Sequence, residues 1–73
     1  MKLSDKDTDH LFQTILSLQT LEESKAFFRD LLTESEIEEF SKRWKAARML
    51  ADGIPYSKIQ QETGLSSRTV ARI

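Results

Sequence analysis

Cysteine is absent from the sequence, so no disulfide can staple the fold and no thiolate can hold a metal. The single histidine, His10, cannot build an imidazole metal cage alone. There is no phosphate-cradling glycine loop, no His-Glu metal spacing and no cysteine nucleophile, and nothing else in the chain points to catalysis. The acidic run Glu34, Glu36, Glu38, Glu39 is accounted for by favourable charge at the start of a helix. No apolar run approaches the roughly 20 residues that a membrane span needs. The N-terminus also lacks the basic start, apolar stretch and small-residue cleavage site of a secretion signal. A cytoplasmic protein that is not an enzyme, holds no metal and has no membrane partner is expected.

Glycine and proline are nearly as scarce: two glycines and one proline, all late in the chain as Gly53, Pro55 and Gly64. The first fifty residues therefore carry little turn chemistry and many good helix formers, which predicts an all-α fold. A chain of 73 residues buries only about 60% of its unfolded surface when it folds alone. With disulfides and metals excluded, pairing with a second copy is the remaining reinforcement.

Three helix starts are written in side chains that can accept a bond from the backbone. Ser4 with Asp7, Thr20 with Glu23 and Thr33 with Glu36 each place a capping oxygen three residues before an acid. After the first, Leu11, Phe12, Ile15, Leu16 and Leu18 recur at helical spacing, and the helix should end near Leu18. After the second, Ser24, Phe27, Phe28, Leu31 and Leu32 mark an inward side. After the third, Ile37, Phe40, Trp44, Ala47 and Ala51 form a stripe that runs until Gly53, a residue suited to the left-handed conformation that ends helices. That helix, of about 19 residues, would be roughly 28 Å long. Its neighbours in so small a chain can hardly cover it, and Phe27, Phe28, Phe40 and Trp44 call for a shared core. An intertwined homodimer follows, with residues 1–53 as dimerisation helices within a single domain.

Residues 54–73 read as a helix-turn-helix. Pro55 suits a first helical turn, where its missing N–H has no partner to lose, and Ile54 with Ile59 mark a short helix ending near Thr63. Gly64 supplies the turn, Leu65 plugs the corner, Ser66 caps the next helix, and Val70 with Ile73 hold that helix against the one before. The outward side then presents Ser66, Ser67, Arg68, Ala71 and Arg72. A guanidinium can bond both acceptors of guanine in the major groove, so Arg68 is the expected base reader. Tyr56, Ser57 and Lys58 open the preceding helix, where contact with the phosphate backbone is expected.

Charge agrees with a polyanionic partner. The net charge is only -1, but residues 1–41 hold 4 basic and 10 acidic side chains, while residues 42–73 hold 7 basic and 2 acidic. A basic C-terminal half is the expected footprint for double-stranded DNA, and the acidic half is left for another task such as subunit pairing. Solvation of helix faces accounts for such a split equally well.

From Leu31 to Ile73 the sequence resembles the Trp-repressor superfamily, its YerC/YecD-like branch more closely than the repressor that binds tryptophan. The residues that carry this are Leu32-Thr33, Glu36, Arg43, Leu50, Gly53, the Gly64 turn and Thr69 with Arg72. The resemblance implies an intertwined dimer whose two heads read successive major grooves of a palindromic operator, most often as a repressor. It also implies a corepressor pocket at Thr33, Arg43, Thr69 and Arg72, with tryptophan or another small molecule as ligand. Two features depart from that pattern: Ile73 stands where the family has a glycine against the indole, and the interval from Gly53 to Gly64 is one residue shorter. Thr33 is also explained as an N-cap, and Arg43 as part of a basic patch with Lys42, Lys45 and Arg48.

Other classes fit parts of the chain. Sigma-factor C-terminal regions and response-regulator heads share the long helix, glycine and helix-turn-helix, although they belong to longer chains. A helical adaptor or antitoxin-like interaction module would use the acidic half as its binding face. Steep salt dependence of duplex binding separates DNA binders from such a module.

Overall fold

The computed structural model describes residues 5–73. It contains five helices and, among the described residues, no strand: α1 (Lys6–Ser17), α2 (Leu21–Leu31), α3 (Glu34–Ala51), α4 (Tyr56–Thr63) and α5 (Ser67–Arg72). Two compact units divide between Leu32 and Thr33, so that α3 groups with α4 and α5.

In the first unit, α1 is capped by Asp5, whose Oδ1 accepts the Thr8 amide at 2.8 Å. That bond holds the Asp5 carboxyl below its ordinary range. The expected cap Ser4 lies outside the described residues. At α2 the Thr20 hydroxyl accepts the Glu23 amide, and Glu23 returns a carboxylate to the Gln19 amide. Phe27 and Phe28 meet edge to face, their centroids 5.2 Å apart. Neither α1 nor α2 has a fully buried residue. Leu11, Phe12, Leu16, Leu21 and Leu31 are all exposed, Leu16 by 83%. All but Leu21 are among the apolar residues whose spacing made the helices legible, and all are exposed to solvent.

The second unit has a core. The Thr33 hydroxyl accepts the Glu36 amide while the Glu36 carboxylate accepts the Thr33 amide, a complete reciprocal cap at the head of α3. After 18 residues α3 ends at Ala51, with Asp52 as its C-cap and Gly53, at φ +75°, just beyond it. The Gly53 amide returns to the Leu50 carbonyl and the Ile54 amide to that of Met49. This paired closure occupies two carbonyls that a helix end leaves without partners. Ile54 and Met49 also both pack against the core.

That core consists of Ala46, Ile59, Leu65 and Val70, with Met49, Leu50 and Ile54 around it. Ala46, Met49 and Leu50 lie on one side of α3. The stripe Ile37, Phe40, Trp44, Ala47 and Ala51 lies on the opposite side, because each residue advances about 100° around the axis. Phe40 and Trp44 are accordingly exposed, Trp44 by 65%. The stripe therefore plays no part in holding the head, and the inward side of α3 within the chain centres on Ala46.

The second glycine works differently. Gly64 (φ +73°) closes α4 through one bond, from its amide to the Gln60 carbonyl at 2.8 Å. A Cβ at Gly64 would meet nothing within 4 Å. Replacement by alanine is therefore penalised only by the backbone conformation, and Gly64→Ala should cost about 1–2 kcal/mol. Thermal unfolding measures this; no change in melting temperature would mean that the turn adopts another conformation.

Candidate nucleic-acid interface

Helices α4 and α5 form two arms joined by Gly64, Leu65 and Ser66. Leu65 is buried at the corner, as a plug should be, and Val70 is fully buried against α4. Ser66 caps α5, its Oγ accepting the Thr69 amide at 3.2 Å and donating to Thr69 Oγ1 at 3.0 Å. On this helix of six residues Val70 is the inward anchor, Thr69 is half-buried, and the other four residues are exposed.

Taking Val70 as the inward direction, Arg68 and Arg72 lie about 160° and 200° around α5, on its far side. Ser66, Ser67, Arg68, Ala71 and Arg72 are all exposed. Among the described residues neither arginine on α5 is in an ion pair. Ile73 differs from expectation. It follows α5 as its C-cap and is 42% exposed, because it lies past the last helical residue and the inward stripe ends at Val70.

Tyr56, Ser57 and Lys58 occupy the exposed first turn of α4. Pro55 precedes them at the N-cap and offers no side-chain acceptor. The Lys58 and Ile59 amides turn back to the Pro55 carbonyl, whereas the Tyr56 and Ser57 amides belong to the helix start, where N–H groups have no intrahelical acceptor. Lys58 sits 3.8 Å from Glu62, a surface pair one helical turn apart. Such a pair is weak and solvent-screened, so the ammonium stays available to another anion.

Three of the four residues of the implied corepressor pocket have local partners. Thr33 is committed to the reciprocal cap of α3, Arg43 Nε bonds Glu39 Oε2 at 3.2 Å, and the Thr69 hydroxyl accepts from Ser66. Arg72 has none of these local bonds and shares the outer side of α5 with Arg68.

Two positions that matter to this geometry were not singled out from the sequence. Ala46 forms the floor on which the head rests, and its small size hid it beside Trp44. Thr63, 5% exposed, places a hydroxyl inside the turn, where it donates to the Ile59 carbonyl at 2.7 Å and accepts the Leu65 amide at 3.3 Å. The only signal was a threonine directly before the turn glycine.

A bihelical corner with an exposed basic second helix, resting on a long third helix, is the arrangement of DNA-binding regulators. The chain belongs to the Trp repressor protein family, whose model matches residues 6–73. It is 49% identical over 72 residues to the uncharacterized protein YerC of Bacillus subtilis (strain 168), a match covering 99% of this chain and 69% of that one. A TrpR-like protein of solved structure from Eubacterium eligens shares 40% identity and a TM-score of 0.85, over 96% of this chain and 72% of the other. A candidate Trp repressor from Staphylococcus aureus, also solved, gives 39% identity and a TM-score of 0.85 over 99% and 75% of the two chains. Among the described residues no helix is long and apolar enough to cross a membrane.

Proposed function

We propose that the chain is a sequence-specific double-stranded DNA-binding transcriptional regulator, acting as a repressor in the cytoplasm and carrying no catalytic activity. The observation that carries this is the division of α5 into two sides, Val70 buried and Arg68 with Arg72 exposed opposite it. Set into a major groove, Arg68 reaches the acceptor edge of a guanine, and Ala71 offers an apolar contact for a thymine methyl. Ser66, Ser67 and Arg72 flank them. Tyr56, Ser57 and Lys58 contact phosphates, helped by the backbone amides of the first turn of α4.

The acting unit is a homodimer. Two helices with no fully buried residue and a long helix with an uncovered aromatic stripe need apolar cover. A second copy supplies it, with residues 1–53 forming the shared part and residues 54–73 the reading heads. Two heads related by a two-fold axis read a palindromic site.

Selection of duplexes from a random pool, with and without free tryptophan, tests binding, palindromy and ligand dependence together. Recovery of no enriched sequence at low salt would overturn the proposal and favour a helical interaction module. Where enrichment is found, binding should weaken steeply with salt, by about 0.9 in log affinity per unit of log salt for each phosphate contact.

The two arginine and lysine roles separate in a titration. Arg68→Ala should cost about 1–3 kcal/mol on the selected site and relax preference at one base pair of each half-site. Lys58→Ala should weaken selected and scrambled duplexes alike and reduce the salt slope by about 1 per head. Equal behaviour of the two variants on both duplexes would show that α5 does not face the bases.

A further inference from the structure

The exposed groups of α5 can read a sequence only if the whole helix is held at a fixed angle to α4, and few atoms hold it. The connection is three residues long, Gly64 to Ser66, and the inward anchors are Leu65 and Val70. Ser66 caps α5 from within and does not tie it to α4. The left-handed Gly64 sets where the chain leaves α4, through its bond to Gln60, but its backbone freedom would allow other exits.

We infer that the buried hydroxyl of Thr63 is the positioning group that fixes the recognition helix for base reading. Its oxygen sits between the last turn of α4 and the first residue past the glycine, and both of its hydrogen-bonding directions are used. The proton goes to the Ile59 carbonyl at 2.7 Å, and a lone pair accepts the Leu65 amide at 3.3 Å. Leu65 is itself buried, so its amide has no ready access to water and would otherwise be an orphaned donor. Satisfying it through α4 obliges the chain to leave the turn in one direction. The Leu65 side chain enters the corner, and four residues after Ser66 the Val70 side chain reaches Ile59 in the same core. An ordinary helix-interior threonine bonds only back to the carbonyl four residues earlier and touches nothing beyond its own helix. Thr63 differs because the second bond crosses the turn.

This inference rests on the proposed duplex binding, and its test must separate the two. Thr63→Val keeps the branched shape and loses the hydroxyl, while Thr63→Ser keeps the hydroxyl and loses a methyl. For each protein, affinity for the selected duplex and for a scrambled duplex of equal length is measured and corrected for the folded fraction. The wild type should favour the selected site. Thr63→Val should lose about tenfold of that preference while binding the scrambled duplex as before, since phosphate contacts tolerate a tilt that base contacts do not. Thr63→Ser should restore most of the preference. A Thr63→Val protein that melts earlier but discriminates like the wild type would assign Thr63 a purely structural role and overturn the inference. A wild type that does not discriminate at all would instead overturn duplex reading itself. If the valine variant does not fold, hydrogen exchange in the wild type decides. A protected Leu65 amide supports the bridge, and exchange at the rate of an open turn overturns it.

Discussion

Ile59→Ala will lower stability by about 2–5 kcal/mol, the range for removing a buried aliphatic side chain and leaving a cavity. Ile59 is fully buried, and it is where Ala46 of α3, Leu65 of the turn and Val70 of α5 converge. Small folded proteins have only about 5–15 kcal/mol in total, so the loss is a large share. At about 4–8 °C per kcal/mol for a chain this size, the melting temperature should fall by about 8 °C or more. Recognition should suffer further, because Val70 is the inward anchor of α5 and loses its floor. Circular dichroism melting together with duplex titration below the melting point checks both effects. A variant that melts within a few degrees of the wild type would mean that the core collapses around the cavity, and that the head is less dependent on this residue than its burial implies.

The second large effect concerns association. Trp44 is 65% exposed and opposite the side of α3 that holds the head. For a monomer, Trp44→Glu would therefore be a surface change of about 0.5 kcal/mol at most. In the proposed dimer the same substitution buries an unpaired carboxylate in the shared core, which disfavours assembly strongly. Sedimentation should show the wild type as a dimer and the variant as a monomer at micromolar concentration. Affinity for a palindromic site should fall about 10²–10⁴-fold as the two heads lose their linkage, while affinity for a single half-site changes little. Helix content should fall too, since α1 and α2 have no fully buried residue of their own. A wild type that sediments as a monomer at every concentration, or a variant that still dimerises, would remove the dimer from the proposal.

Much of the fold was legible because its helix ends are chemical. Thr20 and Thr33 each place a hydroxyl under an amide three residues on, Gly53 and Gly64 each adopt positive φ, and Ser66 caps α5. Residues of these types have few other uses in those positions. The start of α1 was less distinct, since serine and aspartate stand side by side and both can cap; Asp5 does so. What periodicity could not decide was which apolar side of α3 meets the head. Ile37, Phe40, Trp44, Ala47 and Ala51 are bulkier as a set than Ala46, Met49 and Leu50, and both sets repeat at helical spacing. Size suggested the first, whereas close packing of a short α4 requires the small Ala46. Ile73 was assigned inward by the same periodicity, which fails one residue beyond the helix.

The charge split has a plainer component than it had in the sequence. The change of sign after Ser41 falls in the middle of α3, whose first turn holds Glu34 and Glu36 and whose last turn holds Arg48. Acidic groups at the start and basic groups at the end complement the helix dipole. Part of the asymmetry therefore stabilises one helix and does not divide two functional halves. The candidate DNA-contacting residues were legible by position, from Tyr56 through Arg72. The bridging role of Thr63 was not, because a hydroxyl's two partners depend on the path of the turn in space.

Both apolar sides of α3 belong to one hydrogen-bonded rod of 18 residues, with no break between them. Length is therefore tied to direction: one residue added midway would swing everything downstream through about 100° and advance it by 1.5 Å. The head would then point elsewhere even if every local contact re-formed. Surface side chains along α3 are open to exchange, but its residue count acts as a ruler and protractor for whatever the heads grasp.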